Sequence, residues 1–196
     1  MIKAITNLKN INLLFVLLCT ILLTGCGFDL ITPPALDELT IENKYTTISA
    51  NDGRTWGIDF EFPKDSTFSG VVRHINHWHD PSVPFMSHDV LITTEDFANP
   101  DVVKTWVFEH KFFYRYDEGN PKGTINLLHV FPATLEIYEQ LQQIDKWDTV
   151  SISGREILKI NMYNPEGKST GYFKDAGCNT ILVTSVTVMD DPTSMP

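Results

Sequence analysis

Hydrophobic and polar residues alternate along most of the chain after residue 39, and this spacing predicts a mainly β protein. The clearest early case is Trp56, Ile58, Phe60 and Phe62, which alternate with polar or small residues. The turn sequence Ala-Asn-Asp-Gly at residues 50–53 precedes them. Because a strand with one buried face has this period, we expect an N-terminal hairpin formed by the segments on either side of that turn.

The longest strand candidate is residues 106–116, where aromatic residues recur at every second position. We favour core filling for this stripe, because a small barrel has few other large side chains to occupy it. The alternative is a surface that stacks on carbohydrate or peptide, and it requires exposed rings. His110 is expected to be a hydrogen-bonded core or interface residue. The stripe comprises Trp106, Phe108, His110, Phe112, Tyr114 and Tyr116.

One helix is predicted at about residues 134–145, since Leu135, Tyr138, Leu141 and Ile144 repeat at helical spacing. A bend or bulge is expected at Gly154, because a glycine inside a strand pattern is typical of such sites. The strands expected around the helix are 70–75, 89–93, 106–116, 124–131, 148–161 and 180–188.

This order of elements resembles the OB-fold, in which a helix lies between the third and fourth strands of a five-stranded barrel. The resemblance begins at Gly70 and extends over about 120 residues. The expected fold class is therefore mainly β: a single antiparallel, OB-like barrel, or else a β-sandwich, with one helix and an N-terminal hairpin. Neither fold determines a function by itself.

The first 25 residues have a different character: two lysines precede an apolar run at residues 11–23. Thirteen residues at about 1.5 Å each are too short to span a bilayer comfortably, so a removed signal is favoured over an uncleaved anchor. The run ends in Leu-Thr-Gly-Cys at residues 23–26, which resembles the lipobox of bacterial lipoprotein precursors. That resemblance implies cleavage after residue 25 and lipid, including palmitate, on Cys26.

The lipoprotein resemblance implies three regions: a signal peptide at 1–25, a lipidated tether at 26–38, and a single mostly β domain at 39–190. Gly27 stands where an aspartate tends to retain lipoproteins in the inner membrane. The implied location is therefore the cell envelope, on the outer membrane and facing the periplasm. Cys178 would be the remaining thiol, and its apolar neighbours favour a buried, inert side chain.

Charge adds an expectation about partners. The chain carries a net charge of −10, and thirteen cations against twenty-five anions leave −12 once residues 1–25 are removed. This balance repels phosphate backbones, so we expect no nucleic-acid partner.

Four of the six histidines lie within fifteen residues, and they form the one candidate metal site in the sequence. His77 and His79 would point to the same side of an extended segment, and His88 could add a third ligand for zinc or copper. His74 and Asp80 lie in the same segment. The spacing matches no established metal motif, so an ordinary aromatic loop is the alternative.

No complete catalytic pattern is present, which leaves enzymatic activity undecided and favours its absence. The sequence at residues 167–171 fits G-x-S-x-G, but no histidine follows it, and we expect a surface turn there. The function predicted from the sequence is a membrane-anchored envelope lipoprotein that acts as a binding or scaffold module for an envelope protein or cell-wall component. The alternative is a periplasmic metal-binding protein that uses the segment from His74 to His88.

Overall fold

The computed structural model describes residues 36–78, 80–174 and 177–189. The predicted signal, the lipid site at Cys26 and most of the tether lie outside these residues, so lipidation and envelope location stay predictions. In the described part, no helix is both long and apolar enough to cross a membrane. The strands are β1 (Leu39–Glu42), β2 (Thr47–Ala50), β3 (Thr55–Phe60), β4 (Ser66–His77), β5 (His88–Thr93), β6 (Lys104–Phe108), β7 (Lys111–Arg115), β8 (Ile125–Pro132), β9 (Thr149–Tyr163), β10 (Ser169–Phe173) and β11 (Asn179–Met189).

Five strands close into a barrel in the order β4, β5, β8, β11, β9 and back to β4. All these pairings are antiparallel except that of β8 with β11, which is parallel. The helix α1 (Leu135–Leu141) connects β8 to β9, the third and fourth barrel strands. This is the topology of an OB-like fold, and it confirms the predicted mainly β class in its barrel form.

The interior of the barrel is aliphatic, and one side of α1 closes it through Ile137 and Leu141. The helix begins at Thr134, whose hydroxyl accepts a hydrogen bond from the backbone N–H of Ile137 at 3.2 Å. It ends before residue 145, where the sequence predicted its end. The backbone N–H groups of Gln143 and Ile144 donate to the third preceding residue, and not to the fourth as in an α-helix. The interior residues are Val72, Val90, Ile92, Leu128, Val130, Ile137, Leu141, Ile144, Val150, Ile152, Ile181 and Val183.

Gly154 lies where β9 stops pairing with β4, shortly before it begins to pair with β3. It faces Val183 of β11, and the register of β11 shifts between Val183 and Ser185. A Cβ atom built on Gly154 would lie 1.9 Å from the carbonyl oxygen of Leu182. The irregularity predicted at this glycine is therefore present, and it reflects close contact between two backbones.

Two segments differ from the sequence-based expectation. The first strand of the predicted N-terminal hairpin is two strands, β1 and β2, because residues 43–45 all have positive φ and reverse the chain. The predicted surface turn at 167–171 is wrong in its second half, where β10 pairs with the end of β9. A run of small residues with Gly171 at φ +147 gives no strand signal in the sequence.

Candidate functional site

In OB-folds, the face formed by the second and third barrel strands commonly binds oligonucleotides or oligosaccharides. The corresponding strands here are β5 and β8. All six residues of β5 are buried, as are residues 127–132 of β8. The connection between β4 and β5 covers part of this face, since Phe85 packs on Phe131 and Trp78 on His129. The usual binding face is thus partly covered by the chain itself.

A hairpin of β6 and β7 is inserted in the chain between β5 and β8. Its two strands form a separate sheet, joined by a two-residue turn at Glu109 and His110. Both turn residues have positive φ, +48° and +59°. Positive φ at both positions is typical of type I′ turns, whose backbone twist matches that of the two strands they connect.

One face of this hairpin, which we call the outer face, combines aromatic and cationic side chains. Residues directly opposite each other in an antiparallel pair lie on the same face. The three opposed pairs on this face are Lys104 with Arg115, Trp106 with Phe113, and Phe108 with Lys111. All six residues are exposed, and Phe108 is 62% exposed. The outer face therefore presents three aromatic rings and three cations to solvent.

The central pair of the outer face is a stacked one. The rings of Trp106 and Phe113 have centroids 5.7 Å apart and planes only 13° from parallel. Their side chains are 45% and 41% exposed, which leaves much of their flat surface in contact with water. Exposed aromatic patches of this kind in a folded domain indicate a binding surface rather than a core.

The prediction of one long strand whose aromatic stripe fills the core is wrong. A two-residue turn at 109–110 reverses the chain, and it places odd-numbered residues after the turn on the same face as even-numbered residues before it. Phe108 therefore shares a face with Lys111 and Phe113, while Phe112 lies opposite Val107 on the inner face, where both of these residues are half-buried. The alternative required exposed rings, and Trp106, Phe108 and Tyr114 are exposed; stacking on carbohydrate or peptide itself stays a prediction.

The base of the hairpin is fixed to the barrel by β4. The Nε2 of His74 donates to the carbonyl oxygen of Thr105 at 2.7 Å, and burial lowers the pKa of His74, which favours a neutral ring. The buried Arg73 donates to the carbonyl oxygen of Val103 at 3.0 Å, directly before β6. On the inner side, the rings of Phe97 and Tyr114 meet edge to face at 5.5 Å.

The tip of the hairpin is held by His110, whose Nδ1 lies 2.7 Å from Oδ2 of Asp89 on β5. Oδ1 of the same carboxylate accepts from Nδ1 of His129 at 2.7 Å. His110 is thus hydrogen-bonded as expected, although its side chain is 48% exposed. Cys178, expected to be buried, is half-buried, with its Sγ 3.8 Å from the carbonyl oxygen of His110.

The predicted metal residues are only partly brought together. His77 and His88 are opposed on β4 and β5, with ring centroids 4.8 Å apart. His79 lies outside the described residues, and Asp80 instead accepts from the backbone N–H of Ser82. Within residues 36–78, 80–174 and 177–189, no group of three histidine, cysteine or acidic residues is placed to hold a metal ion. The site at His77, His79 and His88 stays a prediction.

His88 is buried between hydrogen-bonding partners that suit its neutral form. Its Nε2 lies 2.8 Å from the amide nitrogen of Gln142, which can only donate, and its Nδ1 lies 2.9 Å from the hydroxyl of Ser87. Burial, with a smaller contribution from His77, lowers the pKa of His88 to about 4.

This lowered pKa makes stability depend on pH. Between the unfolded value near 6.5 and the folded value near 4, the unfolded chain binds more protons at residue 88, so stability falls as pH falls. We expect a loss of about 2 kcal/mol between about pH 7 and about pH 5 from this residue. Urea unfolding of the wild type and His88→Gln across this range measures it. Equal pH dependence in the two proteins would show that His88 contributes nothing.

Comparisons with known proteins give few matches. No protein-family model matches the sequence, and no curated protein matches it. Two similar solved structures are crystal structures of the S. cerevisiae mitochondrial single-stranded DNA-binding protein Rim1. One is 8% identical with a TM-score of 0.29, and the other, labelled with selenomethionine, is 7% identical with a TM-score of 0.32. Each match covers 67% of this chain and 97% of that chain.

These matches contradict the function predicted from the sequence. The envelope lipoprotein scaffold and the expected absence of a nucleic-acid partner are corrected by these matches, because the similar structures are single-stranded DNA-binding proteins. The charge argument used the net charge of the whole chain, which does not describe where the charged residues lie. Residues 104–115 hold three cations and one acid within a chain of net charge −10. At these TM-scores, the likeness itself gives no argument about what this chain binds.

Proposed function

We propose that the protein is a binding module for single-stranded nucleic acid, with the outer face of the β6–β7 hairpin as its contact surface. The observation that carries this proposal is the composition of that face, three exposed rings interleaved with three cations. Proteins that bind single strands without sequence preference combine stacking platforms for the bases with cations along the backbone.

Stacking would supply most of the affinity. Each base stacked on an aromatic side chain contributes about 1–3 kcal/mol, and the outer face offers Trp106, Phe108 and Phe113. Because every base has a flat face, such binding tolerates many sequences. A duplex has its bases stacked on each other, so the surface should prefer single strands.

The cations supply a smaller contribution. Lys104 and Arg115 lie opposite each other at the base of the hairpin, and Lys111 lies next to the turn. Three phosphate contacts on a single strand correspond to a slope of about −2 in a plot of log affinity against log salt concentration. The acidic remainder of the chain repels the ligand, and salt screens that repulsion. We therefore expect a slope of about −2 or shallower.

Fluorescence anisotropy of a labelled oligothymidine of about ten nucleotides, titrated with the full-length chain, tests this proposal. We expect saturable binding to the single strand, weaker binding to a duplex of equal length, and the shallow salt dependence given above. The Trp106 indole should also be quenched when bases stack on it.

Two results would overturn the proposal. One is saturable binding of a neutral oligosaccharide with none of the oligonucleotide, since the same rings can stack on sugar faces. The other is self-association of the chain through this face, visible by size exclusion as a dimer that excess oligonucleotide does not dissociate. Either result would show that the rings serve a different partner.

A further inference from the structure

We propose that His110 is a positioning residue, which fixes the orientation of the outer face by bonding the hairpin tip to Asp89. The importance of this orientation for binding rests on the proposed function. The attachment of the hairpin tip to the barrel can nevertheless be measured without any ligand. Within the described residues, β6 and β7 pair only with each other. A two-stranded hairpin is marginally stable alone in water, so its orientation depends on side-chain anchors.

The anchor at the tip is a buried carboxylate. The side chain of Asp89 is only 4% exposed, and its two oxygens accept from His110 and His129 at 2.7 Å each. A buried carboxylate is costly unless it is hydrogen-bonded, and bonds that involve a charged group are short and strong. Asp89 therefore holds the ring of His110 firmly, although half of that ring lies in solvent.

A second contact holds the flat side of the same ring. Trp78, which is buried, stacks on His110 with ring centroids 4.2 Å apart and planes 24° from parallel. His110 is thus fixed at one edge by a carboxylate and on one side by an indole. These two contacts define both the position and the tilt of the turn.

The tip contact is separable from the contacts at the base. His74 bonds to Thr105 and Arg73 to Val103 at the other end of the hairpin, and neither interaction involves residue 110. Loss of the tip anchor should leave the barrel folded and the hairpin attached. Phe108 and Lys111 flank the turn directly, so their part of the outer face would move most.

The experiment compares His110→Ala with His110→Asn. The amide nitrogen of asparagine is bonded to Cγ, like Nδ1 of histidine, and asparagine tolerates positive φ. The matched control is Glu109→Ala, the exposed neighbour on the same turn. The readouts are hydrogen exchange of the backbone amides at residues 104–115 and the Kd for the oligothymidine.

In His110→Ala we expect faster exchange in the hairpin, unchanged exchange in the barrel strands, and a Kd raised about tenfold. His110→Asn should bring both the hairpin exchange rate and Kd much of the way back to the wild-type values. Glu109→Ala should resemble the wild type. Unchanged hairpin exchange in His110→Ala would overturn the positioning role. If the wild type binds no oligonucleotide, the proposed function fails, while the exchange data still decide the role of His110.

Discussion

Replacing Trp106 and Phe113 together with alanine is expected to weaken oligonucleotide binding by at least about 30-fold. The estimate takes the lower limit of about 1 kcal/mol for each of two stacked bases, and about 2 kcal/mol corresponds to that factor. Both rings lie on the exposed side of the hairpin and stack mainly on each other. The variant should therefore fold, which circular dichroism and thermal unfolding can verify before Kd is measured.

The matched control for this prediction is Tyr172→Ala. Tyr172 lies on β10, is 63% exposed, and has the ammonium of Lys159 4.7 Å from its ring centroid. It therefore combines an exposed ring with a cation, as the outer face does, but on a different strand. Its replacement should leave Kd within about twofold. If the two variants weakened binding equally, nucleic acid would be contacting aromatic residues in general and not the hairpin.

Gly154→Ala is expected to cause a large loss of stability. The added Cβ would lie 1.9 Å from the carbonyl oxygen of Leu182 and 2.9 Å from Cα of Val183, both of them backbone atoms of β11. A side chain could rotate away, but a paired strand must move as a unit. We expect a loss of about 3 kcal/mol or more, at the upper end of what overpacking costs.

Gly57→Ala provides the control, because it adds the same methyl group on β3, opposite Asn161 of β9. The nearest atoms to its added Cβ are side-chain carbons of Tyr163 and Asn161, at 3.8 Å and 3.9 Å. This variant should be close to neutral, or slightly more stable through reduced entropy of the unfolded chain. Urea unfolding of the two variants beside the wild type gives the comparison. Equal stabilities would mean that β9 and β11 are not packed as tightly at Gly154 as the structure indicates.

The positions of the barrel strands and the helix could be predicted because both depend on local periodicity. The pattern at Val150 and Ile152 identifies β9, and the spacing of Leu135, Tyr138 and Leu141 identifies α1. The ends of the elements were less accurate, since they depend on contacts between distant strands. The length of β9, for example, reflects pairing with both β4 and β3, a fact that no local pattern contains.

The hairpin was missed because its turn has an uncommon sequence. Two-residue turns with positive φ usually contain glycine or asparagine, whereas here the residues are Glu109 and His110. Without a turn signal, residues 106–116 read as one strand, and the assignment of faces after residue 109 was inverted. Lys111, Phe113 and Arg115 were therefore expected on the face opposite Trp106 and Phe108, and the candidate site could not be recognised.

The anchor at the tip could not be predicted either. Asp89 is separated from His110 by 21 residues and from His129 by 40, and only the barrel pairing of β5 with β8 brings them together. A single histidine within an aromatic segment indicates a polar partner but does not identify it. The histidine cluster at 74–88 gave a clearer sequence signal, although the described residues of that cluster bond to backbone atoms, a serine and a glutamine.

Crosslinking shows directly where nucleic acid contacts the chain. A single-stranded oligonucleotide with photoreactive thymine analogues would be irradiated with the full-length protein, and the modified peptides would be mapped by mass spectrometry. We expect crosslinks at Trp106, Phe108 or Phe113, competed by unlabelled single strand. Crosslinks confined to residues 80–87, in the connection that covers part of the barrel face, or an absence of competed crosslinks, would contradict binding through the outer face of the hairpin.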